Sequence, residues 1–156
     1  MRDVELYRTI LGLTPPWTVV GVELDVTAQR VVVKVEAGAG PFACPECGAA
    51  GPRYDCKPRR WRHLDTMQFT TWIEADVPRV ECASHGVRQI RIPWAEPGSQ
   101  FTVLFERLAI DLLRECSVTG AGRLLRITWD EAWGIKGRAV RRGLDLKSNR
   151  PITSRR

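Results

Sequence analysis

No stretch of the chain approaches the ~20 consecutive apolar residues that a membrane-spanning helix requires. The opening Met1-Arg2-Asp3-Val4-Glu5 also lacks the basic-then-apolar layout of a secretory signal. A cytoplasmic protein with no membrane partner is therefore expected. Glycine (13 of 156 residues) and proline (10) are too few for a fibrous or a disordered composition, and no segment is of low complexity. Histidine is scarce, with two residues. Cysteine is present five times, an odd number that excludes complete disulfide pairing; in a reducing compartment metal ligation is its leading use. An alternating strand-helix pattern with aspartates at strand ends is missing too, so no acidic catalytic triad on a ribonuclease-like sheet is expected, and no catalytic residue is assigned.

What is present suffices for one ordinary domain or two to three very small ones, with 44% hydrophobic residues to fill cores. Residues 3–12 place Val4, Tyr7 and Leu11 at helical spacing before Gly12 and Pro15-Pro16. From Trp17 to Glu36 the pattern alternates, with Val20, Val22, Leu24 and Val26 on one face and Val31, Val33 and Val35 on another. Asp25 to Gln29 supply the turn of a β-hairpin. Further strands are expected around Gln68–Ile73, Val77–Glu81 and Val87–Ile92, and Pro93 to Ser99 reads as a linker.

Cys44-Pro45-Glu46-Cys47-Gly48 is the most specific short motif. Two thiolates two residues apart can share one Zn²⁺ through a tight turn, and the trailing Gly permits positive φ. Cys82-Ala83-Ser84-His85-Gly86 repeats the spacing with an imidazole in the last ligand position. Cys44, Cys47, Cys82 and His85 together predict one closed, structural zinc site, a zinc ribbon with about 34 residues between its two knuckles. Cys56 and His63 are the competing ligands, with surface or hydrogen-bonding roles favoured for both, and Cys116 is expected in a helical core. A redox role for the Cys-x-x-Cys pair would call for a helix at Cys44, which the flanking Gly and Pro disfavour.

Charge is concentrated at the end of the chain. The formal net charge is +6, yet ten basic residues against three acidic ones lie between Arg123 and Arg156. Phe101 to Cys116 has the spacing of an amphipathic helix, and Val118 to Leu125 has room for about two turns. Thr128-Trp129-Asp130-Glu131 is a capping box opening a third helix that should run to about Arg142 and stop at Gly143. Long helix, short helix, turn and capped helix make the helix-turn-helix pattern. On it Thr128, Asp130 and Lys136 are candidates at or near base edges, Trp129 is a further DNA-binding candidate unless it or Trp133 belongs to the core, and Arg138, Arg141 and Arg142 are candidate backbone clamps. Arg59, Arg60 and Arg62, interleaved with Trp61, are either a second phosphate-contacting strip or an edge strand defended by charge.

The expected fold is α+β, a small β-rich zinc-ribbon domain followed by an all-α helix-turn-helix domain. Its predicted parts are an N-terminal helix and linker (1–16), the zinc-binding domain (17–97), the helix-turn-helix domain (98–146) and a basic disordered tail (147–156). The knuckle, the basic strand ending in Arg62-His63-Leu64-Asp65, the second knuckle after Arg79-Val80-Glu81 and Thr128-Trp129-Asp130-Glu131 together resemble the N-terminal half of the bacterial ISL-three family of insertion-sequence transposases, over about residues 5–147. The resemblance implies recognition of the terminal inverted repeats of an element in double-stranded DNA. It also implies a chain that lacks the family's DDE catalytic domain, with a homo-oligomer or an intact transposase as partner and a nucleoid-associated location. A small zinc-ribbon adaptor or regulator acting through protein contacts is the alternative. A thiol enzyme using Cys56 with His63 or His85 lacks a recognisable orienting third group.

Overall fold

A computed structural model describes residues 3–148, and its two compact units part between Phe105 and Glu106. The first unit opens with helix α1 (Asp3–Ile10), which buries Tyr7; the tyrosine hydroxyl lies 2.6 Å from Thr66 Oγ1. Strands β1 (Trp17–Asp25) and β2 (Arg30–Ala37) form the expected hairpin. The first strand departs from the simple alternation expected of it. Trp17 and Val19 are in the core and Val22 packs half-buried against it, while Val20, Leu24 and Val26 are exposed. The register shift between Val19 and Gly21 is why Val19 and Val22 both face inward and Val20 does not, since one extra residue in a strand exchanges its inward and outward faces.

Two short strands, β3 (Phe42–Ala43) and β4 (Ala50–Gly51), frame the first knuckle. They lead into β5 (Arg53–Thr66) and β6 (Phe69–Cys82), two 14-residue strands joined through Met67, which has φ 57°, and Gln68. The two separate strands expected between Gln68 and Glu81 are thus one, and the basic run at Arg59 to His63 lies within its partner. β7 (Gly86–Gln89) returns along the end of β6. Sheet order is β1-β2-β6-β5, with β2 parallel to β6 over Thr70–Ala75 and β7 antiparallel to it over Arg79–Cys82.

Being paired on both sides, β6 carries the core: Ile73, Val77 and Val80 are fully buried, together with Val33 of β2. The segment expected as a linker belongs to this core. Trp94 packs edge-on against Trp17, at 4.8 Å between ring centroids, and against Trp61, at 5.4 Å, because three large indoles bury more apolar surface together than a polar connector could.

Helix α2 (Val103–Glu115) begins at Thr102, whose hydroxyl accepts from Phe105 N–H at 3.2 Å, and carries the chain into the second unit. There α3 (Val118–Leu125) and α4 (Trp129–Ser148) follow. Ser117 caps α3, and Arg126 ends it in the left-handed conformation (φ 56°). Ala109, Ala121, Leu125, Ala132 and Ile135 are buried. α4 does not stop at Gly143. The glycine keeps helical backbone, since a stop requires positive φ there, and the helix continues through Lys147 and Ser148. The rest of the expected tail, 149–156, lies outside the described residues. No described helix is long and apolar enough to cross a membrane.

Candidate metal centre and nucleic-acid interface

The two knuckles meet because β5 and β6 pair antiparallel along their length, which sets Arg53, at the start of one, opposite Val80, near the end of the other. Gly51 makes the approach possible: a Cβ at this position would stand 2.4 Å from the carbonyl oxygen of Glu81, one residue before Cys82. The N–H of Glu81 donates to Pro52 O at 3.2 Å, fixing the same contact. Within the first knuckle Gly48 N–H donates to Cys44 O and Cys44 N–H to Ala49 O, both at 2.8 Å. Gly48 (φ 75°) and Gly86 (φ 67°) turn the backbone behind the second ligand of each knuckle, in the left-handed region that glycine enters without strain.

The four ligand atoms of Cys44, Cys47, Cys82 and His85 lie within 4.8 Å of one another. A tetrahedron with Zn–S of about 2.3 Å and Zn–N of about 2.05 Å has edges of about 3.8 Å between sulfurs and about 3.6 Å between sulfur and nitrogen. Cys47 Sγ is 3.6 Å from Cys82 Sγ, and His85 Nδ1 is 3.6 Å from Cys82 Sγ and 3.9 Å from Cys44 Sγ. The residues therefore fit one structural zinc, with all four positions supplied by protein. The Cys82 thiol is pulled down to about 6, first by its hydrogen bond with His85 and then by the N–H groups of Ser84 and His85. Cys47 is pushed up: the Ala49 backbone works against this, but the sulfurs of Cys82 and Cys44 and desolvation outweigh it. A cation reverses that penalty by binding both sulfurs as thiolates.

Cys56 is exposed on β5 and stands outside this cluster, and Cys116 is half-buried, its thiol donating to Leu112 O at 3.1 Å. His63 is a core residue with no place on the surface. Its Nδ1 lies 2.9 Å from Thr102 Oγ1, and burial, then the Arg62 charge, push its pKa down to about 4.

Three of the arginines expected to contact DNA are held by protein partners. Arg62 is 3% exposed; it pairs with Asp65, donates to the carbonyls of His63 and Thr71, and lies over the Phe105 ring. Its backbone N–H donates to Gln100 O at 2.8 Å and its carbonyl accepts from Thr102 N–H at 3.0 Å, so the segment entering α2 closes over this end of β5. Arg59 and Arg60, further from that cover, lie nearer the surface. Arg60 stacks over Trp72 at 4.5 Å, and Arg59 donates to Gln89 Oε1 at 3.3 Å. In the second unit Arg138 donates twice to one oxygen of Glu106, at 2.9 and 2.6 Å, and Arg142 reaches the other at 3.4 Å. Because the Glu106 side chain is 2% exposed, these two arginines balance a buried carboxylate.

The turn of the helix-turn-helix is built as its residues dictate. Gly122 sits where a Cβ would be 3.2 Å from Ile127 O, so α3 and the following turn approach closely. Thr128 Oγ1 accepts from Glu131 N–H at 3.2 Å while Glu131 Oε2 accepts from Thr128 N–H at 2.7 Å, the reciprocal pair of a capping box. Ala132 and Ile135 face inward; Thr128, Trp129, Asp130, Trp133, Lys136 and Arg141 are exposed.

Fold and site together define a class: a zinc-ribbon protein in which a helix-turn-helix follows the ribbon. Two family models match in tandem, one described as the zinc-finger of transposase IS204/IS1001/IS1096/IS1165 over residues 40–92, the other as the helix-turn-helix domain of transposase family ISL3 over residues 90–135. These two regions of the chain are thus similar to the zinc-finger and helix-turn-helix regions of ISL3-family transposases. Two curated proteins of Mycobacterium tuberculosis (strains CDC 1551 / Oshkosh and ATCC 25618 / H37Rv) are named as transposases for insertion sequence element IS1557. Each is 30% identical over 145 residues, covering 88% of this chain and 33% of its own length. The chain thus spans about a third of the length of the curated relatives it matches. No solved structure matches it.

Proposed function

We propose that this chain binds double-stranded DNA in transposition, recognising the terminal inverted repeats of an insertion sequence through the exposed N-terminal half of α4. The observation that carries this reading is the capping-box start of α4, which presents Trp129, Asp130, Trp133 and Lys136 to solvent while Ala132 and Ile135 hold the helix to its own unit. In a helix-turn-helix, side chains so placed enter the major groove and meet base edges. Lys136 and Arg141 supply positive charge for the flanking phosphates. Thr128 acts through the cap, and Arg59 and Arg60 are a second strip for the backbone. The zinc ribbon holds the fold, since a site with four protein ligands leaves no open position for chemistry. This region accordingly recognises DNA and does not itself cut or join strands.

The test is duplex affinity measured against salt. Each phosphate neutralised lowers the slope of log K against log[salt] by about 0.9. A slope of about −3 or steeper supports the reading, and an affinity that ignores ionic strength overturns it. Arg141→Gln is expected to flatten the slope by about one unit. Arg138→Gln is expected to lower stability with the slope unchanged.

A further inference from the structure

We propose that Trp129 and Trp133 form an apolar plate on α4 that reads the 5-methyl groups of neighbouring thymines in the major groove. The inference rests on the DNA-binding reading above and names what its central side chains recognise. The two indoles are stacked, with centroids 5.2 Å apart and planes 8° apart, yet they are 51% and 50% exposed. They are not core residues displaced to the surface, because Ala132 and Ile135 on the inward face are fully buried. Two large rings held flat against each other in water present an apolar surface that only an apolar group repays.

What that group is follows from the surroundings. Lys136 Nζ lies over the Trp133 ring, 5.2 Å from its centroid, so a cation adjoins the indole pair, and Arg141 is exposed further along the helix. Exposed Asp130 beside Trp129 would be repelled by phosphates, which directs the first turn toward base edges and not along the strand. At Gly137 a Cβ would meet nothing within 4 Å, so the side of the helix next to Lys136 is open to close approach. A cation-flanked plate is complementary to a polyanion. Within the major groove of a polyanionic duplex, the thymine methyl is the apolar group on offer. Spacing agrees: four residues advance α4 by about 6 Å, close to two base-pair steps of about 3.4 Å.

The whole chain is titrated by fluorescence anisotropy against alternating poly(dA-dT) and poly(dA-dU) duplexes of equal length, which differ in the methyl group. Two methyls at about fourfold each predict binding to the thymine duplex tighter by about 15-fold. A Trp129→Ala/Trp133→Ala variant should bind both duplexes alike while retaining the salt slope and the far-UV circular dichroism of the parent. Trp133→Phe, which keeps an aromatic ring, should retain most of the discrimination. Lys136→Gln should flatten the salt slope and leave the ratio unchanged. Equal affinity of the parent chain for the two duplexes overturns the thymine proposal while DNA binding stands; failure to bind either overturns both. A dimer in sedimentation that the double substitution abolishes, with the duplex ratio unmoved, assigns the plate to a second copy of the chain and overturns the proposal.

Discussion

At the scale of single residues, buried charges decide which cations remain for a partner. Glu106 is the clearest case, since its carboxylate is out of water and held by Arg138 and Arg142. Replacing it by Ala removes the counter-charge from Arg138 and should destabilise the protein by about 3 kcal/mol in urea titrations. This pairing is not legible in the sequence: an acid between Phe105 and Ala109 on an apolar stripe is its sole signal, and the arginines on α4 read equally well as clamps. Arg62 misleads for a similar reason. Alternation places Arg60 and Arg62 on one face of β5, and only the pairing of Arg62 with the distant residues Gln100 and Thr102 buries one and leaves the other exposed. His63, one position on, should leave a signature in acid. Its folded pKa lies near 4 against 6.5 unperturbed, so the unfolded chain takes up a proton first, and stability falls as pH drops from about 6.5 toward 4. His63→Gln should remove a contribution on the order of 2 kcal/mol from that slope, measured by urea titration at pH 7 and pH 5.

At the scale of elements, local signals that complete themselves within a few residues are the reliable ones. Both knuckles, the hairpin at residues 17–36 and the box at Thr128–Glu131 each contain their own turn chemistry, and each stands where its residues place it. Thr128→Ala removes the acceptor for Glu131 N–H and should cost about 1 kcal/mol, with fraying at the start of α4 visible as faster amide exchange there. Features set by distant partners are hidden. The bulge at Val19 and Gly21 reverses a face that simple alternation assigns. Glu74 and Asp76 interrupt the apolar pattern between Gln68 and Glu81 and so suggest two strands, although one strand paired on both sides runs through them. The long gap between knuckles has the same explanation, since β5 and β6 fill it and bring their ends together. Gly51→Ala tests that closure: with the Glu81 carbonyl 2.4 Å from any Cβ, the substitution should separate the knuckles and lower zinc affinity, measured by competition with a chromogenic chelator.

At the scale of the whole molecule, two compact units divide the work, one organised by a sulfur-rich cluster and the other by a buried ion pair and small apolar residues. That division is readable from the two cysteine motifs and from the concentration of basic residues that begins at Arg123. The place of Trp94 in the core of the first unit is not, because the prolines and glycine around it imitate a connector. The cluster of Cys44, Cys47, Cys82 and His85 fits one structural zinc, which is expected to clasp the two knuckles of the first unit. Elemental analysis of the purified chain, before and after chelation and with tryptophan fluorescence followed in parallel, tests this most directly. One zinc per chain is expected, with a substoichiometric content in Cys82→Ser and loss of the packed environment of Trp17, Trp61 and Trp94 as the metal is removed. A chain that carries no zinc, or that keeps its tryptophan fluorescence unchanged once zinc is stripped, would contradict it.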